Sequence, residues 1–138
     1  MRISQTIWIN ASSENVFERY ADISSWTLWD PEVADVHLPE GLRIGSAGWL
    51  RAQTGPKANL RIVEVVQSRS FTVESRLPLC RMTFGHVLES HGAQTAATHW
   101  VTFSGPLSFI FRRLIGRQVN ASLPQTMRGL KRACEGGL

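Results

Sequence analysis

Apolar and polar residues alternate over residues 3–9, which predicts a strand with one buried face. The apolar spacing then becomes helical, and Ser12 or Ser13 can cap a short helix. The buried face of this helix carries Val16, Phe17 and Tyr20. Ser24 can open a second short helix that ends before Pro31. The N-terminal segment therefore predicts a strand followed by two short helices.

Six further strands are predicted from residue 33 onward, separated by turn signals such as Gly55-Pro56. They span residues 33–38, 46–53, 58–67, 70–77, 80–90 and 94–103. Short turns join neighbouring strands in antiparallel pairs, so the pattern predicts a long antiparallel meander. Gly105-Pro106 ends it, and the remainder predicts a helix to about Cys134.

The predicted closing helix carries two apolar stripes that point in different directions. The first is Leu107, Ile110, Phe111 and Leu114, and the second is Leu123, Met127, Leu130 and Cys134. At about 100° per residue, Leu114 and Leu123 are about 180° apart. The stripes predict either a kink or break between Gly116 and Pro124, or two halves that bury opposite faces. Pro124 favours the kink.

Composition fits a chain with a full core: 138 residues, 43% hydrophobic, with a formal charge of +4. The charge is unevenly distributed. Residues 1–103 carry nine basic and ten acidic groups, whereas residues 104–138 carry six basic and one acidic group. Such a local excess does not indicate nucleic-acid binding, and we expect no nucleic-acid partner. Its simplest interpretation is a solvated helix face whose cations complement the helix dipole.

Several other classes are excluded by the residues. Cys80 and Cys134 form no CxxC pair and are expected to be free thiols. No apolar run has the length of a secretory signal or a membrane span, so we predict a cytoplasmic protein without a transmembrane segment. The chain has no GxGxxG, P-loop or GxSxG motif, and we expect no cofactor.

Short motifs along the whole chain carry a family resemblance. They are Val16-Phe17; Trp26, Trp29 and Pro31; Gly45; Glu64 after Ile62 or Val63; Arg76 with Pro78; His86, Leu88 and Glu89; Ser104 to Leu107; and Leu130, Lys131 and Glu135. In this order they resemble the SRPBCC (START and birch-pollen-allergen-like) superfamily, and most closely its polyketide cyclase/dehydrase branch.

This resemblance implies one α+β domain over residues 1–138 with a helix-grip fold. In that fold a curved antiparallel sheet of about seven strands wraps around a long C-terminal helix and encloses an apolar pocket. No single activity is implied, because relatives bind lipids or hormones, cyclise polyketides or act as protein partners.

Strand alternation predicts which side chains face the pocket. We expect the inward set to be Leu50; Leu60, Ile62 and Glu64; Phe71, Val73 and Ser75; Met82, Phe84, His86 and Leu88; and Ala97, His99, Val101 and Phe103. Gly48 and Ala52 would leave space beside Leu50, and Trp49 would point outward. Trp29 could lie at the pocket mouth.

Two histidines fall on these inward faces. If a tight turn over residues 90–93 joins the sixth and seventh strands, opposite residue numbers sum to about 183. His86 would then face Ala97, and His99 would be its diagonal neighbour, about 7–8 Å away. The pair could bind a ligand oxygen, transfer protons, or be satisfied by backbone and water. Only Glu64 is near enough for a third metal ligand, so we expect no metal site.

Two functions from different classes follow from this pocket. We favour a binding protein for a small hydrophobic or aromatic, lipid- or polyketide-like ligand, with His86 and His99 as polar anchors. The alternative is an aromatase/cyclase or dehydratase-type enzyme that folds a polyketide-like chain in the same pocket.

The basic closing helix allows two further interpretations. Arg113 and Arg117, one turn apart, could anchor a carboxylate or phosphate near the pocket entrance, which would favour ligands with an acidic end. The basic face could instead dock on an acidic protein or a membrane. The free edge of the meander could serve a homodimer.

Overall fold

The computed structural model describes residues 2–54 and 57–137. Its strands are β1 (Arg2–Ile9), β2 (Val33–His37), β3 (Ala47–Ala52), β4 (Lys57–Val66), β5 (Ser70–Leu77), β6 (Cys80–His91) and β7 (Gln94–Ser104). Its helices are α1 (Ser13–Ala21), α2 (Trp26–Trp29), which a 3-10 turn over Ile23–Ser25 precedes, and α3 (Ser108–Arg132), which a π turn over Ala133–Gly137 follows. The turn predicted at Gly55-Pro56 lies outside the described residues.

All seven strands form one antiparallel sheet in the order β1-β7-β6-β5-β4-β3-β2. Strands β2 to β7 are a meander, and α1 and α2 carry the chain from β1 at one edge to β2 at the other. Helix α3 packs on β1 and β7 and also contacts α2. The predicted order of elements and the α+β helix-grip fold are confirmed.

The two N-terminal helices form for different local reasons. Ser12 caps α1, because its Oγ accepts a hydrogen bond from the Asn15 N–H at 3.2 Å. The predicted role of Ser24 is wrong: its hydroxyl donates to the Asp22 carboxylate instead of capping α2. Ser25 stabilises the turn before α2 by donating from Oγ to the Asp22 carbonyl at 2.7 Å.

Helix α3 is continuous from Ser108 to Arg132 despite Pro124, so the predicted break is absent. The first predicted stripe is right only at Phe111, which packs on the smaller cluster, since Leu114 is 70% exposed and Ile110 is 38% exposed. The N-terminal half instead packs through Phe111, Ile115 and Val119. These positions are spaced by four residues and lead into Leu123 and Met127 with a drift of about 40° per step, which a continuous helix can present to one curved sheet.

A bulge in β4 changes one predicted face. The pairing with β5 shifts between Ile62 and Glu64, so the alternation reverses there. Glu64 is therefore exposed, where it accepts a hydrogen bond from Thr72 Oγ1, and Val65 packs against the core. The prediction that Glu64 faces the interior is wrong.

Buried apolar residues form two clusters on the inner side of the sheet. The larger one joins the sheet centre to α1, α2 and the C-terminal half of α3 through residues such as Ile62, Met127 and Leu130. The smaller one is Cys80, Met82, Val101 and Phe103, and the N-terminal half of α3 packs on it. The sheet and α3 between them enclose the site described next.

Candidate functional site

A cavity of about 230 Å³ lies between the sheet and the middle of α3. Strands β3 to β7 supply its walls, α2 supplies one end, and α3 closes it. Nine of the predicted site residues line it: Trp29, Leu50, Leu60, Phe71, Val73, Phe84, His86, His99 and Val101. Ala52, Ala58 and Ser75 leave room beside them, as small side chains must where a sheet faces a cavity.

The other five predicted site residues lie elsewhere. Ile62 and Leu88 are packed in the larger cluster, and Met82 is in the smaller one. Arg113 and Arg117 are exposed on the N-terminal half of α3 and do not line the cavity. The two arginines therefore stand on the protein surface, and their role as anion anchors stays a prediction.

The two histidines are closer than the sequence predicted. A two-residue turn at Gly92-Ala93 sets the register of β6 and β7, so opposite residue numbers sum to 185 and His86 pairs directly with His99. Gly92 adopts φ of 66°, which suits glycine in such a turn. The diagonal prediction is wrong, and the two imidazole centroids are 4.5 Å apart.

His86 is held in one orientation by its neighbours. Its ring stacks on Phe71 at 3.8 Å with a 4° tilt, and its Nδ1 lies 3.1 Å from the Phe71 carbonyl oxygen. A carbonyl only accepts, so Nδ1 carries the hydrogen. Burial lowers the pKa of His86 to about 4, so the ring is neutral near pH 7. Its Nε2 is then an acceptor that bonds no other group in the described part of the chain.

Tyr20 completes this polar group, although it was not among the predicted site residues. It is fully buried on α1, and its hydroxyl lies 2.7 Å from His99 Nε2. Burial lowers the pKa of His99 well below its usual value, and the nearby His86 lowers it further. Burial also raises the pKa of Tyr20 well above its usual value. The helical spacing of apolar residues in α1 placed Tyr20 on its buried face, but nothing in the sequence indicated that it would contact His99.

Two carboxylates mark the end of the cavity near solvent. Asp30 and Glu32 line it, and Glu32 and Ser122 also line a surface depression between α2 and α3. Asp30 Oδ1 accepts hydrogen bonds from the Glu32 N–H at 3.0 Å and from Thr126 Oγ1 at 2.8 Å. Burial raises the pKa of Asp30 despite these bonds. We place the cavity entrance at this depression.

The chemistry of the lining is restricted. No lysine or arginine is among the described residues that line the cavity. Across residues 2–54 and 57–137, no group of three histidine, cysteine or acidic side chains is arranged to hold a metal ion. The cavity can thus offer apolar contact, neutral imidazoles and a tyrosine hydroxyl, with carboxylates confined to the entrance.

Two tryptophans of α2 line the same cavity but differ in their polar atoms. Trp26 Nε1 donates to the Tyr20 carbonyl at 3.0 Å, which ties α2 to α1. Trp29 Nε1 is buried and has no partner within the described residues. The Trp29 ring lines the cavity, and its N–H is a donor without a partner in the described structure.

Comparisons with known proteins agree with this architecture. The model of the family described as "Polyketide cyclase / dehydrase and lipid transport" matches residues 1–135. Among curated proteins, none has a sequence that matches this chain. Within the described residues, no helix is both long and apolar enough to cross a membrane.

Three solved structures illustrate the shared fold. The Aha1 dimer from Colwellia psychrerythraea is 18% identical with a TM-score of 0.73, over 99% of this chain and 98% of that one. DynU16, from the dynemicin biosynthetic locus, is 16% identical with a TM-score of 0.76, over 99% of this chain and 48% of that one. The di-domain ARO/CYC BexL of the BE-7585A biosynthetic pathway is 14% identical with a TM-score of 0.74, over 96% and 45%. At these identities the likeness concerns the fold.

Proposed function

Since the chain belongs to the polyketide cyclase/dehydrase and lipid transport family, we propose that its cavity binds a compact, uncharged aromatic or apolar ligand that carries a hydroxyl group. The free acceptor at His86 Nε2 is the observation that carries this proposal. His86 lines an apolar cavity, and a ligand hydroxyl would donate a hydrogen bond to this acceptor.

The size of the cavity supports a compact ligand. Its volume of about 230 Å³ is below the range of roughly 300–1,000 Å³ that is usual for small-molecule sites. Two or three fused rings suit this space and the aromatic side chains of Phe71, Phe84 and Trp29 that line it. A long acyl chain would need the cavity to expand.

Charge supports a neutral ligand. An anion inside the cavity would find no lysine or arginine in the described lining and would pass Asp30 and Glu32 at the entrance. Burying a charge without a partner is strongly unfavourable. The acidic ligand that the basic C-terminal segment suggested would therefore have to be held outside, at Arg113 and Arg117, and that role is a separate proposal.

Three naphthalene derivatives of nearly equal size test this proposal. Isothermal titration or tryptophan fluorescence would measure the affinity of 2-naphthol, 2-methoxynaphthalene and 2-naphthoate at pH 7.5. We expect 2-naphthol to bind at least tenfold more tightly than 2-naphthoate and severalfold more tightly than the methyl ether, which has no donor. Absence of binding by all three, or equal affinity for 2-naphthoate, would refute the proposal.

Substitution of the acceptor sharpens the test. His86→Phe keeps the ring stack on Phe71 and removes Nε2, so the advantage of 2-naphthol over its methyl ether should vanish. His37→Phe is the matched control, because His37 stacks on Trp49 on the outer side of the sheet and does not line the cavity. Loss of the advantage in both variants, or in neither, would remove His86 from the site.

A cyclase or dehydratase activity is the second candidate, favoured by one contact. The 2.7 Å pair of Tyr20 OH and His99 Nε2 couples two proton-carrying groups that both line the cavity. The test is turnover of an aromatic polyketide precursor by wild type and by Tyr20→Phe, with binding measured in parallel. Turnover that depends on Tyr20 while binding does not would establish the enzyme, and unchanged turnover would exclude this pair from the reaction.

A further inference from the structure

The N-terminal half of α3 and the turn beside it present exposed apolar and basic residues together. These residues, the α3 surface patch, are Leu79, Phe109, Ile110, Arg113, Leu114 and Arg117. We propose that this patch docks the protein on an anionic lipid bilayer. The proposal is independent of what the cavity binds, because the patch residues do not line it.

Helical geometry gathers the patch on one face. Taking Phe109 as zero and about 100° per residue, Arg113, Arg117, Ile110 and Leu114 follow at about 40°, 80°, 100° and 140°. The residues that pack on the sheet, Phe111, Ile115 and Val119, lie at about 200° to 280°. The patch is therefore the side of α3 opposite to its buried stripe, and its two arginines stand between apolar side chains.

The apolar members of this face protrude into solvent. Phe109 is 61% exposed, and Leu79 is 65% exposed. The Leu79 carbonyl accepts from the Leu107 N–H at 3.0 Å, which places the β5–β6 turn beside the start of α3. Phe109, Ile110 and Leu114 also lie within six residues on one helix face, and a group of exposed apolar side chains is unusual unless something covers it.

Charge indicates what covers them. Residues 104–134 contain six basic and no acidic residues, and neither Arg113 nor Arg117 forms an ion pair among the described residues. Exposed Phe, Ile and Leu beside arginines supply the two contributions to interfacial binding, burial of apolar side chains and attraction to anionic headgroups. The apolar tips enter the interface, while the guanidinium groups meet lipid phosphates.

A second copy of the chain fits this face less well. In a twofold interface the same patch would meet itself, so Arg113 and Arg117 would face like charges. Single protruding side chains also fit a fluid bilayer, which adapts to them, better than the fixed surface of a second copy.

Vesicle co-sedimentation tests the proposal with the full chain. Vesicles of phosphatidylcholine alone are compared with vesicles of phosphatidylcholine and phosphatidylglycerol at 7:3. We expect at least tenfold stronger binding to the anionic vesicles, weakening as NaCl is raised. We also expect at least a tenfold loss for the double variant Phe109→Ser with Leu114→Ser, and for Arg113→Glu with Arg117→Glu.

Exposed residues elsewhere provide the matched control. Arg43 and Ile44 form an exposed basic-apolar pair in the loop between β2 and β3, and Ile44 is 66% exposed. Arg43→Glu with Ile44→Ser should bind vesicles like wild type, and all variants should keep the wild-type melting temperature within a few degrees.

Three outcomes would overturn the proposal. They are no preference for anionic vesicles, an equal loss in the control variant, or a wild-type dimer in size-exclusion chromatography that Leu114→Ser makes monomeric. The last result would assign the patch to self-association.

Discussion

The two halves of α3 come from one continuous helix but are used in opposite ways. The C-terminal half places Met127 and Leu130 in the larger core cluster, and its buried Leu123 lines the cavity that this half closes. The N-terminal half packs on a smaller cluster and leaves Phe109 and Leu114 in solvent. The C-terminal half thus buries its apolar residues in the core and shapes the cavity, while the N-terminal half leaves some of its apolar residues exposed. The contrast teaches that apolar content alone does not identify a buried helix face.

The largest expected difference is between leucine-to-alanine substitutions in the two halves. Leu130 is fully buried, so Leu130→Ala should lower the free energy of unfolding by about 2–5 kcal/mol. Leu114→Ala removes an exposed side chain and should change it by no more than about 0.5 kcal/mol. Urea unfolding followed by circular dichroism measures both values. Similar losses in the two variants would contradict the division of the helix.

A glycine in the C-terminal half should be nearly as sensitive. A Cβ at Gly129 would lie 1.8 Å from the Trp29 carbonyl oxygen and 3.2 Å from Pro31 Cδ. Because the first of these is backbone, α2 or α3 must move, and Gly129→Ala should cost about 3 kcal/mol despite the higher helix propensity of alanine. The same urea experiment measures it. Wild-type stability in this variant would mean that α2 is not tightly packed on α3.

Acidification should lower the free energy of unfolding through the buried histidines of the cavity that the C-terminal half covers. The folded pKa of His86 is about 4 and its usual value is 6.5, so between these values the unfolded chain binds a proton that the folded chain does not. Stability is then complete above about pH 6.5 and falls as the pH drops toward 4. From His86 alone we expect a loss of about 2 kcal/mol between pH 7.5 and pH 5. His99 changes stability in the same direction, because its pKa is also lowered.

Urea titrations at several pH values, for wild type and His86→Phe, would measure this dependence. Between pH 6.5 and pH 5, the free energy of unfolding of the variant should fall less steeply than that of wild type, because the contribution of His86 is gone. A slope that is the same in both proteins would show that His86 does not titrate differently in the folded and unfolded states.

The fold was predictable because it rests on local alternation. Strand limits, a cap at Ser12 or Ser13 and the inward faces of β5 and β6 follow from neighbours a few residues apart. The structure reproduces the limits to within one residue and places the cap at Ser12. The bulge at Ile62/Glu64 was not predictable in this way. It depends on how β4 pairs with β5, and one extra residue reversed the side on which Glu64 lies.

The site was predictable only as a face, not as a set of contacts. Alternation brought His86 and His99 to the same side, but a turn of Gly92-Ala93 set a register two residues away from the one predicted. Tyr20 reaches His99 from a helix that is 79 positions away in sequence. In α3, the N-terminal half packs through Phe111, Ile115 and Val119 and leaves the predicted Ile110 and Leu114 exposed, because the face that packs depends on the shape of the sheet it meets.

The smallest expected effect is a gain in stability, at Gly116 in the N-terminal half. A Cβ there would meet Arg112 Cγ at 3.5 Å and Ile3 Cδ1 at 3.6 Å, which are ordinary van der Waals distances. Glycine is about 1 kcal/mol less favourable than alanine inside a helix, so Gly116→Ala should raise the free energy of unfolding by about 0.5–1 kcal/mol. Urea unfolding beside Gly129→Ala measures the opposite signs directly. A loss of stability at Gly116 would mean that the N-terminal half lies against β1 as tightly as the C-terminal half lies against α2, and the contrast between the halves would then rest on exposure alone.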